Sequence, residues 1–233
     1  MKMYCVFTPS HEILSTRFFL TTVPRGFEVV PYEYNQAGQG NFGETDFYQC
    51  IEFKVNMIIE SIEANPGACI VWSDVDIQFF NFNPSMMEKD LGQLDMVFQR
   101  FSREGEVACG GFYALRCSPA VAQFFRNVLT VSKEETHGNE QDAINLLLKT
   151  TTLQWGILPG RYYARTHGFR PPKDLALHHA TCIKPGDSVR QKTELLEGMA
   201  WIMEAPSIRL PLMQFLNIGG ALSRKLSRYW RRK

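Results

Sequence analysis

The sequence predicts an α/β fold: a mostly parallel central sheet flanked by helices, in a single domain that ends in an amphipathic basic helix. Short β-like runs alternate along the chain with stretches of helical periodicity, which is typical of strands joined by crossover helices. One run, ACIVW at 68–72, is continuously apolar, as expected of a central strand covered on both faces. The 233 residues are 45% hydrophobic, so the chain can bury a core and disorder is excluded as its main character.

The individual elements follow from apolar periodicity and from capping residues. Strands are predicted at 4–8, 27–30, 68–72, 95–101, 107–116 and 175–180, and helices at 46–63, 118–131, 139–148 and 192–203. Ser118 and Pro119 form an N-cap followed by the residue best suited to the first helical position. Asn139 is expected to cap the next helix in the same way.

Charge is distributed unevenly along the chain. The net charge of +1 argues against a nucleic-acid binder built on a basic surface. The last ten residues, Arg224 to Lys233 (RKLSRYWRRK), nevertheless hold six basic residues and no acidic one, which leaves 19 basic and 24 acidic residues in the rest. Apolar residues at roughly helical spacing from Leu212 to Tyr229 predict an amphipathic basic helix on an anionic membrane surface. A solvated tail, or a helix packed on the acidic body, is the alternative.

The sequence also predicts a domain boundary and a cellular compartment. Residues 1–205 are predicted to form the folded domain and residues 206–233 the basic tail. The start, MKMYCVFTPS, enters a strand at once, and no apolar run reaches the roughly eighteen residues of a membrane span. Six cysteines without C-x-x-C pairing are expected to be reduced thiols. We therefore expect a cytoplasmic protein, peripheral on the cytoplasmic membrane face if the tail binds lipid.

Two carboxylates follow the most apolar strand. Asp74 and Asp76 in SDVD lie at the carboxyl edge of the predicted sheet, where open α/β sheets bind ligands. Residues two apart in an extended chain point the same way, so these side chains can share a hard divalent cation, which can in turn hold a diphosphate. Without a cation the two charges repel one another, which favours the metal site over an ordinary polar turn.

A second motif resembles a dinucleotide fingerprint but lacks its context. Gly38, Gly40 and Gly43 match G-x-G-x-x-G, yet seven residues separate the preceding strand from Gly38, and the fingerprint should follow its strand directly. Glu44 and Asp46 would also place negative charge where a pyrophosphate should dock. A surface loop is favoured.

Three later segments carry further candidate groups. Gly110 and Gly111 interrupt a β-like run, which indicates a bulge, a close approach of ligand to backbone, or a simple kink. The helix start NEQD at 139–142 has more polar groups than capping requires. His178 and His179 must face opposite sides of a strand, so one of them can complete a metal site. Lysines and an arginine follow closely, where a phosphate-bearing ligand could lie: Lys184, Arg190 and Lys192.

Taken in order along the chain, four segments resemble the GT-A nucleotide-diphospho-sugar transferases: VWSDVDIQFF, GGFYALRCS, NEQDAIN, and HHAT followed by KTELLE. The similarity is to glycosyltransferase family 77, with features of family 8, and covers most of residues 4–200. It implies a Rossmann-like GT-A fold and a retaining glycosyltransferase that uses a sugar nucleotide, usually a UDP-sugar, with Mn²⁺ or Mg²⁺. The acceptor would be a glycan or a lipid-linked molecule.

The resemblance also implies roles for individual residues. Metal ligands would be Asp74, Asp76 and His179, although the family 8 spacing to Lys184 would select His178 instead. Gln141 would lie beside the anomeric carbon, with Asp142 positioning sugar hydroxyls. Contacts to the nucleotide sugar would come from Thr8, Lys54, Asp74, Gly110, Gly111 and Lys192, the last of these on the diphosphate.

The sequence departs from the family at two positions and leaves two other functions open. Cys109 stands where the family usually has Asn, and Glu140 replaces the usual Asp. The alternatives are a haloacid dehalogenase-type phosphatase, which also uses a strand-end DxD, and a non-catalytic protein that binds sugar nucleotides. Candidate acceptor-side residues, which could equally belong to the core or the surface, are Trp155, Arg161, Tyr162, Tyr163 and Arg165.

Overall fold

A computed structural model of the protein describes residues 1–36, 45–102, 105–134, 139–167, 170–181, 187–205, 207–209 and 211. The G-x-G-x-x-G segment, Lys184 and the segment 212–233 lie outside the described residues. In the described ranges, no helix is both long enough and apolar enough to cross a membrane.

The centre of the fold is a six-stranded sheet in the order β2-β1-β3-β6-β5-β7. Its strands are β1 (Lys2–Phe7), β2 (Glu28–Glu33), β3 (Cys69–Ser73), β5 (Met96–Arg100), β6 (Ala108–Arg116) and β7 (Trp155–Ile157). β1 pairs in parallel with both β2 and β3, and β5 pairs in parallel with β7, while β6 runs antiparallel to its two neighbours. Five of the six strands therefore point the same way, which confirms the mostly parallel sheet.

A smaller sheet lies beside the first in the order β4-β9-β8. Its three-residue strands are β4 (Ile77–Phe79), β8 (Tyr162–Ala164) and β9 (Leu177–His179). β4 runs antiparallel to β9, and this register places Ile77 opposite His179. Strands this short show no usable periodicity, so the sequence predicted only β9 among them, within the longer run 175–180.

Helices cover both faces of the central sheet. They are α1 (residues 9–22, in successive 3-10, α and π turns), α2 (Thr45–Glu63), α3 (Pro84–Leu91), α4 (Pro119–Glu134), α5 (Glu140–Leu147) and α6 (Ser188–Glu204). α1 and α3 were not predicted. α3 carries a recognisable signal, because the Asn83 side chain accepts a hydrogen bond from the Met86 N–H and Pro84 opens the helix. The predicted caps Ser118 and Asn139 accept the expected N–H bonds from Val121 and Asp142.

β3 is covered on both faces, as its apolar run predicts. Ile70 and Trp72 pack into a cluster with α2, α4 and α5, whereas Val71 packs into a second cluster with α1, α3 and β4. All three side chains are essentially inaccessible to solvent. The strand that ends at the two candidate carboxylates is therefore a fixed part of the core, and it holds its carboxyl end rigidly.

Two of the candidate acceptor-side residues have a structural role. The carboxylate of Asp90 on α3 binds Arg161 Nη2 at 2.5 and 2.6 Å and accepts a hydrogen bond from the buried Tyr162 hydroxyl at 2.6 Å. These contacts join α3 to the small sheet. Arg161 and Tyr162 thus serve the core, which was one of the alternatives for them.

We expect Asp90→Ala to lower the free energy of unfolding by about 2–3 kcal/mol, because it leaves a buried hydroxyl and a half-buried guanidinium without their acceptor. Urea denaturation measures the loss, and Glu88→Ala on the exposed face of the same helix is the matched control. Equal stability of the two variants would contradict the structural role of Asp90.

Candidate active site at the carboxyl end of the central sheet

A cavity of about 370 Å³ opens at the carboxyl ends of β1 and β3. β2 lies on one side of β1 and β3 on the other, so the strand order reverses at this point, which is where open α/β sheets bind ligands. The side formed by β1 and α2 is largely apolar, with Val6, Phe7, Phe47, Cys50 and Ile51. The side formed by the ends of β3 and β9 and by α6 carries the charged groups Asp74, Asp76, His179 and Lys192.

Three of the predicted metal ligands meet in this cavity. One ligand atom from each of Asp74, Asp76 and His179 lies within 4.8 Å of the others. β3 presents the two carboxylates, and the pairing of β4 with β9 brings the imidazole back over them. The Asp76 Oδ1 atom is buried and lies 3.2 Å from His179 Nε2, and no other donor among the described residues reaches it. A buried carboxylate oxygen with only an imidazole nitrogen beside it is suited to a cation.

A buried amide orients the His179 ring. Gln99 Nε2 donates to the carbonyl oxygen of Tyr162 at 3.2 Å, so Gln99 Oε1 is the acceptor that faces His179 Nδ1 at 2.9 Å. Nδ1 therefore carries a hydrogen, and Nε2 is the nitrogen turned towards the carboxylates. Gln99 was not among the predicted site residues, although a glutamine within the largely apolar strand MVFQR is a signal for a buried polar contact.

The charge on His179 depends on its neighbours. Burial lowers the pKa of His179, but the adjacent Asp76 carboxylate and the Cys109 sulfur, 3.6 Å from Nδ1, outweigh burial and raise that pKa to about 10. A metal ion requires the deprotonated nitrogen, so a cation entering this site takes the place of the Nε2 proton.

His178 faces away from this cluster. Its ring stacks on Tyr163 with centroids 5.8 Å apart, and both ring nitrogens are buried without a hydrogen-bond partner in the described ranges. Burial and the nearby His179 lower the pKa of His178 to about 3, which keeps the ring neutral. Of the two adjacent histidines, the structure brings His179 to Asp74 and Asp76.

Two lysines bind the paired carboxylates from opposite sides. Lys192 Nζ lies 2.9 Å from Asp76 Oδ2. Burial raises the pKa of Asp76, but Lys192 and His179 outweigh burial and hold that pKa well below its usual range. Lys54 Nζ lies 2.8 Å from Asp74 Oδ1 and 2.8 Å from Glu140 Oε1. Both lysines line the cavity, and their contact with the donor stays a prediction.

The predicted nucleotide-binding residue Thr8 belongs to a small polar cluster at the end of β1. Its hydroxyl lies 3.0 Å from Ser10 Oγ and 3.1 Å from His11 Nδ1. His11 also lines the cavity, and burial together with the charge of Lys192 lowers its pKa to about 4, so the ring is neutral. His11 was not predicted as a site residue, because a single histidine after Pro-Ser belongs to no recognisable sequence pattern.

The glycine pair lies against the metal cluster. The β5–β6 register shifts between Phe98 and Arg100, opposite Gly110 and Gly111, so the strand pairing is irregular at the glycine pair, as a bulge or a kink would make it. A Cβ added at Gly111 would lie 2.3 Å from His179 Cε1 and 2.9 Å from Asp74 Oδ2. The groups that approach the backbone so closely are thus the candidate metal ligands themselves.

The two predicted catalytic residues lie at the start of α5. Gln141 Oε1 accepts a hydrogen bond from the Gly110 N–H at 3.1 Å, which fixes its carboxamide beside the glycine pair. The Asp142 backbone N–H bonds the Asn139 cap, and the Asp142 side chain is exposed. Neither residue lines the cavity, so their roles at the sugar stay predictions.

Comparisons with solved structures support the fold. Similar structures include a glycosyltransferase involved in glycosylation of the major capsid of PBCV-1 (TM-score 0.57, 12% identity, covering 84% of this chain and 98% of that one). The galactosyltransferase LgtC, solved with donor and acceptor sugar analogs, has a TM-score of 0.51 at 12% identity, with 84% and 95% coverage. The glycosyltransferase GlyE of Streptococcus pneumoniae has a TM-score of 0.51 at 10% identity, and the match spans 59% of that longer chain. These likenesses confirm the GT-A fold.

A search of curated proteins finds no match to the chain. The family model for nucleotide-diphospho-sugar transferases, in contrast, matches residues 17–196, which is well over half of the sequence. The haloacid dehalogenase alternative is therefore wrong. The chain belongs to the nucleotide-diphospho-sugar transferase family and is a glycosyltransferase.

Proposed function

We propose that this glycosyltransferase moves a sugar from a UDP-sugar to a glycan or a lipid-linked acceptor, with Mn²⁺ or Mg²⁺ as cofactor and with retention of configuration. The observation that carries the proposal is the cluster of Asp74, Asp76 and His179 at the mouth of a buried strand, within one cavity. The UDP donor and the retention of configuration rest on the resemblance of the sequence motifs.

The chemistry of the donor set fits a divalent cation. Two carboxylates and one imidazole nitrogen suit Mn²⁺, which accepts both oxygen and nitrogen ligands. The Oδ1 of Asp76 and the Nε2 of His179 lie 3.2 Å apart, close enough for one cation to bind both. The hydrogen bond from His179 Nδ1 to Gln99 is the outer-shell contact that usually accompanies a metal-binding histidine.

The size and the lining of the cavity also suit a nucleoside diphosphate. Its volume of about 370 Å³ lies within the ordinary range for a ligand site. The apolar side formed by β1 and α2 suits a planar base, with Thr8 and His11 as polar groups near it. The charged side suits the diphosphate, since Lys192 Nζ already lies against a carboxylate that would bind the cation.

The residues have distinct tasks in the transfer. As the glycosidic bond breaks, negative charge builds on the leaving diphosphate, and the bound cation would supply Lewis-acid stabilisation of that charge. Lys192 adds a positive charge on the same side of the cavity. Gln141, held by the Gly110 N–H, would present a neutral amide to the positive character at the anomeric carbon. Asp142 would then orient sugar hydroxyls at the exposed start of α5.

A donor screen tests the proposal. We expect release of nucleoside diphosphate from one UDP-sugar in a panel of sugar nucleotides, dependent on Mn²⁺ and abolished by EDTA. Turnover of a non-UDP donor would overturn the UDP assignment, and full activity in EDTA would overturn the metal dependence. Tight binding of a sugar nucleotide without any release, across acceptor mixtures, would instead support the non-catalytic alternative, for which Cys109 is the main sequence argument.

We further propose that the basic tail, 206–233, attaches the enzyme to the cytoplasmic face of a membrane. The support is the six basic residues between Arg224 and Lys233, interleaved with Leu226, Tyr229 and Trp230. Each basic residue near an anionic surface contributes about 1 kcal/mol of binding, and salt screens this contribution.

We expect the full-length protein to sediment with phosphatidylserine-containing vesicles at low salt, and a 1–210 truncation to remain in the supernatant. A full-length variant with Arg228, Arg231 and Arg232 changed to Gln should bind weakly and serves as the control for truncation itself. Equal sedimentation of all three proteins would remove the membrane proposal.

A further inference from the structure

Lys54 is buried, and its ammonium group is surrounded by acceptors that belong to the protein. Its ammonium donates to Glu140 Oε1 at 2.8 Å and to the Gly110 carbonyl at 3.0 Å, and it lies 2.8 Å from Asp74 Oδ1. An ammonium has three N–H donors, and these three acceptors account for all of them. The side chain is 7% exposed, so water does not compete for these contacts.

Lys54 does not belong to a simple ion pair. One ammonium group, that of Lys54, faces two carboxyl groups, those of Asp74 and Glu140. If Lys54 faced Asp74 alone, its charge would neutralise Asp74 and weaken that carboxylate as a cation ligand. Glu140 is also 7% exposed, and it supplies the second carboxyl group at the same nitrogen.

We propose that Glu140 is a positioning residue for the metal site, acting through Lys54. Glu140 balances the charge of Lys54, and Lys54 in turn fixes Asp74 by one oxygen, Oδ1, so that Asp74 keeps a net negative charge towards the cavity. The inference rests on the proposed metal-dependent function and names a residue that does not itself touch the cation. It also gives a role to Glu140, which stands where the family usually has Asp.

The surroundings of Glu140 support this task over a purely structural one. Glu140 opens α5, the helix whose next residue, Gln141, binds the Gly110 N–H, while Lys54 binds the Gly110 carbonyl. The pair therefore connects α2, α5 and Gly110 to the end of β3. A buried ion pair is in itself a weak source of stability, so this pair is better explained by what it does to Asp74.

A titration of the full-length protein with Mn²⁺ alone tests the proposal. Binding is measured as the loss of the electron paramagnetic resonance signal of free Mn²⁺. We expect Glu140→Gln to weaken Mn²⁺ binding about tenfold or more, the usual effect of removing an outer-shell partner. Glu52→Gln is the matched control, because Glu52 lies on the same helix as Lys54 and forms an exposed ion pair with Lys133. That variant should bind Mn²⁺ like the unaltered protein.

A double-mutant cycle separates action through Asp74 from a general effect of charge. In an Asp74→Asn background, Glu140→Gln should weaken Mn²⁺ binding by less than about twofold, because the contact through which it acts is already lost. The same loss in both backgrounds, or no loss with Glu140→Gln alone, would overturn the positioning role. If Asp74→Asn and Asp76→Asn both bind Mn²⁺ normally, the metal site itself fails, which is a distinct outcome. Unchanged circular dichroism and melting temperature confirm that each variant is folded.

Discussion

Asp76→Asn is expected to reduce turnover of the sugar nucleotide by about 10³-fold or more, since the cation that we propose it helps to hold would contribute several kcal/mol to stabilising the transition state. Asp76 receives contacts from His179 at Oδ1 and from Lys192 at Oδ2, and no donor other than His179 Nε2 reaches the buried Oδ1 among the described residues. An asparagine keeps the size of the side chain but loses the charge. The variant should therefore remain folded and bind Mn²⁺ far more weakly.

The control for this change is Asp174→Asn, the same substitution at an exposed position in the turn before β9. It should keep full activity and full Mn²⁺ binding. Turnover by Asp76→Asn above a tenth of the unaltered rate, with added Mn²⁺ saturating, would contradict the assignment of Asp76 as a metal ligand. Circular dichroism decides whether any loss reflects unfolding instead.

Gly111→Ala is expected to cost about 10²-fold in turnover, the effect of misplacing a catalytic group by roughly 1 Å. The new methyl group would lie 2.3 Å from His179 Cε1, a distance that real Cβ atoms do not tolerate. Because the Gln99 amide holds that ring at Nδ1 and Asp74 Oδ2 lies 2.9 Å from the same methyl group, both ligands must shift. Mn²⁺ binding should weaken together with turnover.

Gly198→Ala supplies the comparison, since a Cβ there meets no atom within 4 Å and alanine favours the helix that contains it. That variant should be as active as the unaltered protein and slightly more stable. Gly111→Ala with full activity would show that His179 does not need its observed position, and would remove the imidazole from the proposed site.

The sequence predicted those parts of the fold that carry a long or capped pattern. The apolar run of β3, the periodicity of α2 and the capping residues Ser118 and Asn139 are local signals, and each element formed where expected. α1 mixes three helix types, and the strands of the small sheet are three residues long, so neither has a period to read. Whether such elements form depends on their contacts with distant parts of the chain.

Site residues could be predicted where they stand at a fixed spacing along the chain. Contacts between residues that are distant in the sequence were harder to predict. Asp74 and Asp76 follow from a strand-end pattern, but the choice of His179 over His178 depends on how β9 pairs with β4. Gln99 lies 80 positions from His179, the residue that it orients. Lys54 lies 86 positions from Glu140, its ion-pair partner. No local pattern encodes such distances.

Anomalous X-ray diffraction from crystals grown with Mn²⁺ and UDP tests the central claim most directly, because it locates the ion without reference to activity. We predict one manganese peak bound by Asp74, Asp76 and His179 Nε2, with diphosphate oxygens completing its coordination and Lys192 turned towards the diphosphate. A manganese peak at other residues, or bound UDP in this cavity with no metal at the two carboxylates, would contradict the account.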